Sequence, residues 1–517
     1  MGAYRPTIGL EIHAELQTAT KMFCACLNNP DEELSNKNIC PICMAHPGTL
    51  PVINKEAVHK VLLVGAALGG TLADYTEFDR KNYFYPDIPK GYQISQYQHP
   101  LVLGGSLGGV ALTRIHLEED TARLAHRPRP FGLTRRSTTE GYGRGSTAEG
   151  SQHVEDTDKG GAERSLVDYN RAGVPLMELV TEPVIHDAET ASAFARELQL
   201  LLRYLEVGEA NMEKGEMRVE ANISVAPIMS AVGINQKDVA VVLGTKVEVK
   251  NLNSFRSVER AICYEIARQT KLLDSGEEVV QETRGWDEAK QATFSQRKKE
   301  KEHDYRYFPD PDLPKLLLSK LPDFAPEELR RAMPELPWVR RGRYKKLGLK
   351  EDDADMFVKD PLLGNFFDTF STQATQSAAL LGANYLASDL AGKVEKGDLS
   401  RGWFAEKTNA ERFLKLMHLV EIGTLSSRGA KDTLALMCAS GKDPETLAKE
   451  RGLIQQSDEG MIDTVANRLV ANYPHVVEDY KAGKQAALQF LVGQGMKETK
   501  GSANPGLLRE SLLKILG

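Results

Sequence analysis

Four short segments of this 517-residue chain alternate apolar and polar residues, and their polar positions carry groups that bind metal ions and phosphates. Between Ile8 and Leu16 the polar set is Glu11, His13 and Glu15; between Thr113 and Asp120 it is Arg114, His116, Glu118 and Asp120. Arg218–Val225 offers Glu220 and Asn222, and Lys246–Lys250 offers Glu248 and Lys250. Successive side chains of a strand point to opposite sides, so each set lines one face of a sheet. Any solvated antiparallel sheet alternates this way, and each segment alone reads as a wet outer face. The choice of polar residues points further, because wet strands favour Thr, Ser and Lys over carboxylates, imidazole and amide. Mg²⁺ is held by one or two carboxylates together with substrate phosphates. Glu11, Glu118 and Glu220 suit the metal, and Lys81, Lys250 and Arg114 suit the phosphates.

A second cluster is made of sulfur. Four of the six cysteines fall in one stretch, Cys24-Ala-Cys26, then thirteen residues, then Cys40-Pro-Ile-Cys43. Without a secretion signal such pairs read as a structural zinc site, the alternative being reduced cysteines left from a lost one. Cys263, within a helical pattern, and Cys438, beside Met437, read as core residues.

Residues 1 to about 315 mix strand alternation with two helices, one over roughly 188–205 after the cap Asp187, the other from Val258 to about Leu273. Strands and helices without regular βαβ alternation predict an α+β fold. From Arg127 to Ser165 the chain is rich in Arg, Gly, Ser, Thr and acids and nearly free of aliphatics. Such a segment buries too little apolar surface to offset its ordering entropy, so it is expected as a disordered insertion, with RNA contact by its arginines as a minor reading. After Asp304–Pro309 the pattern is helical to the end, with Pro-rich segments at 309–337 marking the change, a second boundary expected near 405 and a last helix starting at Asn504-Pro505.

A chain with 41% hydrophobic and 26% charged residues is globular, and no apolar run approaches the roughly 20 residues of a membrane span. The N-terminus enters its first strand without a targeting segment, and Pro6 stands where myristoylation wants Ser or Thr, so a cytoplasmic location is expected. A net charge of −7 excludes a protein coated in bases for nonspecific nucleic-acid binding, but allows local patches. Two are candidates: Arg340 to Lys350, and the lysines Lys481, Lys484, Lys497 and Lys500. For each, a solvated helix face is the better reading.

No Walker loop occurs. Gly104–Gly109 looks superficially like the Gly-Gly-Ser-Ser-Gly-Gly stretch of amidase-signature hydrolases, but Leu107 replaces the second serine, and a glycine turn between strands is the better reading.

The segments GLEIH, KMFC, CPIC, FDRKNYFYPDIPKGYQISQY, TRIHLEED, SLVDYNRAGVPLMELVTEP, EVKNLNSFRSVERAI, VVQETRGWD, HDYRYFPDPDLP and LVGQGMKETKGSANP run colinearly over nearly the whole chain. Together they resemble the B subunit of the bacterial aspartyl/glutamyl-tRNA(Asn/Gln) amidotransferases. The resemblance implies an α+β architecture: an antiparallel-sheet cradle with kinase chemistry over 1–315, an all-α helical domain over 316–405, and a tRNA-binding α-helical tail over 406–517. It implies ATP-dependent conversion of Glu-tRNA(Gln), Asp-tRNA(Asn) or both to the amidated forms. The B subunit would phosphorylate the side-chain carboxylate, ammonia from the amidase, or A, subunit would displace phosphate, and the small C subunit would hold a heterotrimer together without a membrane. By the family's pattern Glu11, His13, Glu118, Glu119 and Glu220 form the Mg²⁺ cluster, Lys81 acts with them, and Lys81, Asn222, Lys250 and Asn251 line the ATP pocket. Cys24, Cys26, Cys40 and Cys43 match the zinc-bearing members.

Two departures stand out: the long 127–165 insertion, and Glu220 where aspartate is common. The archaeal Glu-tRNA(Gln)-specific relatives carry a synthetase-like inserted domain that this short insertion does not match. A tRNA-binding scaffold without kinase chemistry, and a stand-alone phosphotransferase on a small carboxylate, are the readings from other classes.

Overall fold

The computed structural model describes residues 4–127, 164–228, 243–298, 305–455, 459–499 and 503–517. The expectation of disorder at 127–165 falls largely on 128–163, outside the described residues. The chain divides into two compact units, Met1–Leu336 and Pro337–Gly517. Among the described residues no helix is long and apolar enough to cross a membrane.

The first unit is built on a ten-stranded sheet. Its strands near the site are β1 (Tyr4–Glu15), β4 (Val110–Glu119), β5 (Pro175–Thr181), β6 (Met217–Pro227), β7 (Val247–Leu252), β8 (Glu282–Asp287) and β9 (Ala292–Lys298); β2 (Asp79–Asn82) and β3 (Tyr92–Ser95) pair beside them. The order is β9-β8-β7-β6-β1-β5-β4, continued by Val102–Leu103 and Thr71–Leu72, with Ser106–Leu107 paired to β4. All pairings are antiparallel except β7 with β8. The apolar set of β1 is sealed, with Ile8, Leu10 and Ile12 at most 1% exposed. Each such side chain stabilises the fold by roughly 1.5–3 kcal/mol relative to exposure.

Helix α2 (Ala188–Tyr204) starts at Asp187, which accepts from the Thr190 N–H at 2.6 Å. Helix α3 (Phe255–Asp274) begins before the expected Val258 because Ser254 caps it, accepting from the Ser257 N–H at 3.0 Å. These helices pack on each other, α3 against β6 and β7 and α2 against β1. Cys263 on α3 is exposed rather than in the core, because the buried stripe runs through Val258, Ala261 and Ile262; Cys438 is half-buried beside fully buried Met437. Within Gly104–Gly109 the short strand Ser106–Leu107 turns at Gly108-Gly109 into β4, and Gly105, with φ +97°, would bring a Cβ within 2.9 Å of the Leu68 carbonyl.

Residues 316–336 belong to the first unit, where the sequence pattern predicts the start of a helical domain. Leu316–Leu317 pairs with Tyr75–Thr76, and the helix Pro326–Ala332 buries Leu329 against α1 (Lys55–Ala67). The second unit is helical. Helices on both sides of residue 405 share one aromatic core, with the Phe413 ring 5.7 Å from Phe366 and 5.1 Å from Phe370. The helices Glu459–Asn472, Gln485–Glu498 and Pro505–Leu516 have a core of their own, centred on Leu469, Leu491, Leu508 and Leu512. In the Arg340 cluster, Arg340 and Arg343 bond Asp368 and Arg341 bonds Asp355, so these bases mainly tie helices together.

Candidate active site

Strand register assembles the polar face. His116 of β4 lies opposite Glu178 of β5, Glu178 opposite His13 of β1, Glu11 opposite Glu220 of β6, and Asn222 opposite Glu248 of β7. His13 Nε2 is 3.5 Å from Glu178 Oε2, 3.6 Å from Glu118 Oε1 and 3.8 Å from Glu11 Oε1. His116 Nε2 is 3.3 Å from Glu178 Oε2, and an Arg114 nitrogen is 3.4 Å from Glu178 Oε1. Glu11, Glu220 and Glu248 offer oxygens within 4.8 Å of one another. Lys250 Nζ sits 2.8 Å from Glu220 and 3.5 Å from Glu248. Thr283 of β8 donates to Glu248 at 2.7 Å and fixes its carboxylate.

Burial favours neutral forms here, and the charges oppose it. Burial alone would lower the His13 pKa, yet the Glu178, Glu118 and Glu220 carboxylates push it up to about 9. Glu178, buried but bonded to both imidazoles, is held well below the carboxylate range. Burial, then Glu178 and Glu220, raise Glu11. Burial lowers Lys81 less than Glu118 and neighbouring groups raise it, and its ammonium lies 5.4 Å from the Tyr305 ring centre. Lys250 is likewise raised, Glu220 and Glu248 outweighing burial.

Among the described residues, Glu118 Oε2 and His116 Nδ1 are buried without a hydrogen-bond partner. A buried carboxylate oxygen lacking a donor requires positive charge nearby, so this donor set fits a divalent cation.

The structure thus brings together Glu11, His13, Glu118, Glu220, Lys81 and Lys250. Glu119 is a neighbour in sequence alone. Alternation turns it to the opposite side of β4, where Lys90 Nζ at 2.5 Å and the Ile94 N–H at 2.9 Å bind it beside a cavity of about 310 Å³ lined by Cys24, Cys43 and Tyr92. Its place in the cluster is taken by Glu178, which sequence reasoning misses. The one signal for Glu178 is its being a lone acid in the otherwise apolar strand PLMELVT. His116 and Glu248 join the same face. Asn222 is half-buried on it, while Asn251 is exposed in a left-handed conformation, φ 65°, where the β6–β7 register shifts.

The four cysteines also converge, with sulfurs within 4.8 Å of one another and no disulfide. The Cys40 N–H donates to Cys43 Sγ at 3.1 Å. The Cys24 thiol, the Cys40 N–H and the nearby Lys21 ammonium hold Cys43 low, at about 5. A thiolate-forming sulfur among three others fits tetrahedral Zn²⁺.

Residues 6–321 match the family model described as GatB/GatE catalytic domain, and residues 365–516 match the one described as GatB domain. The chain is 40% identical to the B subunit of the aspartyl/glutamyl-tRNA(Asn/Gln) amidotransferase of Brevibacillus brevis, over 100% of this chain and 99% of that protein. The protein of the same name from Thermus thermophilus is 41% identical over 99% of each chain.

Proposed function

The chain belongs to the GatB/GatE family, and from that premise we propose that it is the B subunit of a glutamine-dependent amidotransferase that repairs misacylated tRNA. Its substrates are Glu-tRNA(Gln), Asp-tRNA(Asn) or both, and its partners are the amidase, or A, subunit and the small C subunit. Its own step is phosphorylation of the side-chain carboxylate of the aminoacyl group. A carboxylate oxygen attacks the γ-phosphorus of ATP, the bond to the β–γ bridging oxygen breaks, and ADP leaves. Ammonia supplied by the amidase partner then attacks the acyl carbon, phosphate departs, and loss of a proton leaves the amide. An unactivated carboxylate would have to expel oxide, so phosphorylation provides the leaving group.

The observation that carries this reading is the meeting of five carboxylates with Lys250 on one sheet face, with Lys81 of the neighbouring β2 close enough to Glu118 and Glu178 to feel their charge. Phosphoryl transfer needs positioning and charge neutralisation more than covalent help. Lys81 and Lys250 meet phosphate oxygens, and Asn222 and Asn251 flank the nucleotide. Glu11, His13, Glu118, Glu178 and Glu220 would hold Mg²⁺. When bound, that ion supplies positive charge to the phosphates. His13 orients the carboxylates around it. Cys24, Cys26, Cys40 and Cys43 would hold a structural Zn²⁺, and the C-terminal helices make a tRNA-binding tail. The site of action is the cytoplasm.

Co-expression with the A and C subunits, followed by ATP- and glutamine-dependent conversion of Glu-tRNA(Gln) and Asp-tRNA(Asn), tests the reading. Conversion by the complex and not by this chain alone is expected. Bound tRNA without conversion would turn the reading into a scaffold.

A further inference from the structure

Beside Lys81 the first unit carries a row of tyrosines that the chemistry above does not use. The Tyr83 and Tyr305 ring centres are 5.8 Å apart, Tyr305 and Tyr307 6.1 Å, and Tyr307 stacks on Tyr97 at 4.3 Å with 12° between planes. Tyr97 is 54% and Tyr305 39% exposed. Apolar burial therefore does not explain the row.

The row is held in place from below. The Asn82 N–H and side-chain amide both bond the Tyr305 carbonyl, at 2.9 and 3.2 Å, and the amide also bonds the Arg306 carbonyl at 2.8 Å. Arg306, between two of the tyrosines, is left-handed at φ 47°, a conformation that a non-glycine residue adopts at a cost. That strain keeps Tyr305 and Tyr307 on one row with Tyr97.

Resting on the function proposed above, we propose that Tyr83, Tyr305, Tyr307 and Tyr97 form a stacking platform for the unpaired 3′-terminal bases of the aminoacyl-tRNA, and so deliver its aminoacyl group to Lys81. Exposed aromatic rings stack single-stranded bases without regard to sequence. This suits either of the two tRNAs proposed above. The adenine of ATP is the competing base, but one adenine covers one ring, whereas the row holds four, with Lys81 beside Tyr305 within it.

The test uses the assembled enzyme and Glu-tRNA(Gln) with 2-aminopurine at the 3′-terminal purine. Binding is expected to quench the fluorophore. Tyr97→Leu should reduce the quench and raise KM for Glu-tRNA about 10-fold, as loss of one stacked base predicts, with KM for ATP within twofold and Tyr97→Trp restoring both tRNA readouts. A KM for ATP that rises in its place would overturn the platform in favour of adenine. So would tRNA that binds and turns over without quenching, which leaves the proposed function standing. Failure of the wild-type complex to bind either Glu-tRNA(Gln) or Asp-tRNA(Asn) overturns both.

Discussion

Glu178 faces His13 across the β1–β5 ladder with Oε2 3.5 Å from Nε2, and the same oxygen is 3.3 Å from His116 Nε2. One carboxylate therefore orients two imidazoles and is the most heavily shared anion of the site. Glu178→Gln keeps the shape and removes the charge. Amidation by the assembled enzyme with ammonium as nitrogen donor should fall by about 100-fold or more, on the scale of losing one preorganised charge, while tRNA affinity stays within a few-fold. Steady-state kinetics beside filter binding check both.

The two adjacent glutamates of β4 should behave differently. Glu118→Gln removes an anion from the metal-ready face and should cut acyl-phosphate formation about 100-fold and raise the Mg²⁺ midpoint of the residual ATP turnover. Glu119→Gln acts on the far side of the strand and should leave that midpoint within twofold. Equal shifts in the two variants would refute the division of faces.

Beneath the cluster, Glu15 lies against buried Asp120, which Arg218 bonds at 2.8 Å. Burial, then the Asp120 charge, push the Glu15 carboxyl from 4.5 up to about 8. Between those values the folded chain keeps a proton that the unfolded chain releases. Folding then binds protons, so Glu15's contribution to stability is full below about pH 4.5 and is lost as pH rises through about 8. Glu15→Gln should remove that decline, and its melting temperature relative to wild type should rise from pH 5 to pH 8. Thermal unfolding at several pH values in that window reads the difference.

Elemental analysis should find one zinc per chain, and Cys43→Ser should lose it together with protease resistance of the 20–50 region. A structural thiolate site is folded by its metal, so a strong chelator should lower the melting temperature of the wild type and leave that of the variant unchanged.

The last helices, from Glu459 onward, have a separate core, so removing residues 459–517 should spare the melting transition of the first unit while weakening tRNA binding several-fold. A cut at 405 should be worse, because it strips Phe413 from Phe366 and Phe370. Calorimetry and tRNA titration on both truncations separate the two cases.

What could be read in the sequence alone was local. The period-two alternation of β1, β4, β6 and β7 follows from backbone geometry, as do the caps Asp187 and Asn504 and the paired cysteines, because each depends on residues within a few positions of one another. The α+β class was legible for the same reason. Which of two adjacent glutamates joins His13, and that a lone acid far along the chain joins them, was decided by register between strands distant in sequence. Pairing β1 with both β5 and β6 sets Glu178 on one side of His13 and Glu220 opposite Glu11, and a one-residue slip in either ladder would send those carboxylates to the other face. The unit boundary at Leu336 likewise depends on Leu316–Leu317 finding Tyr75–Thr76, a long-range pairing that no local pattern encodes.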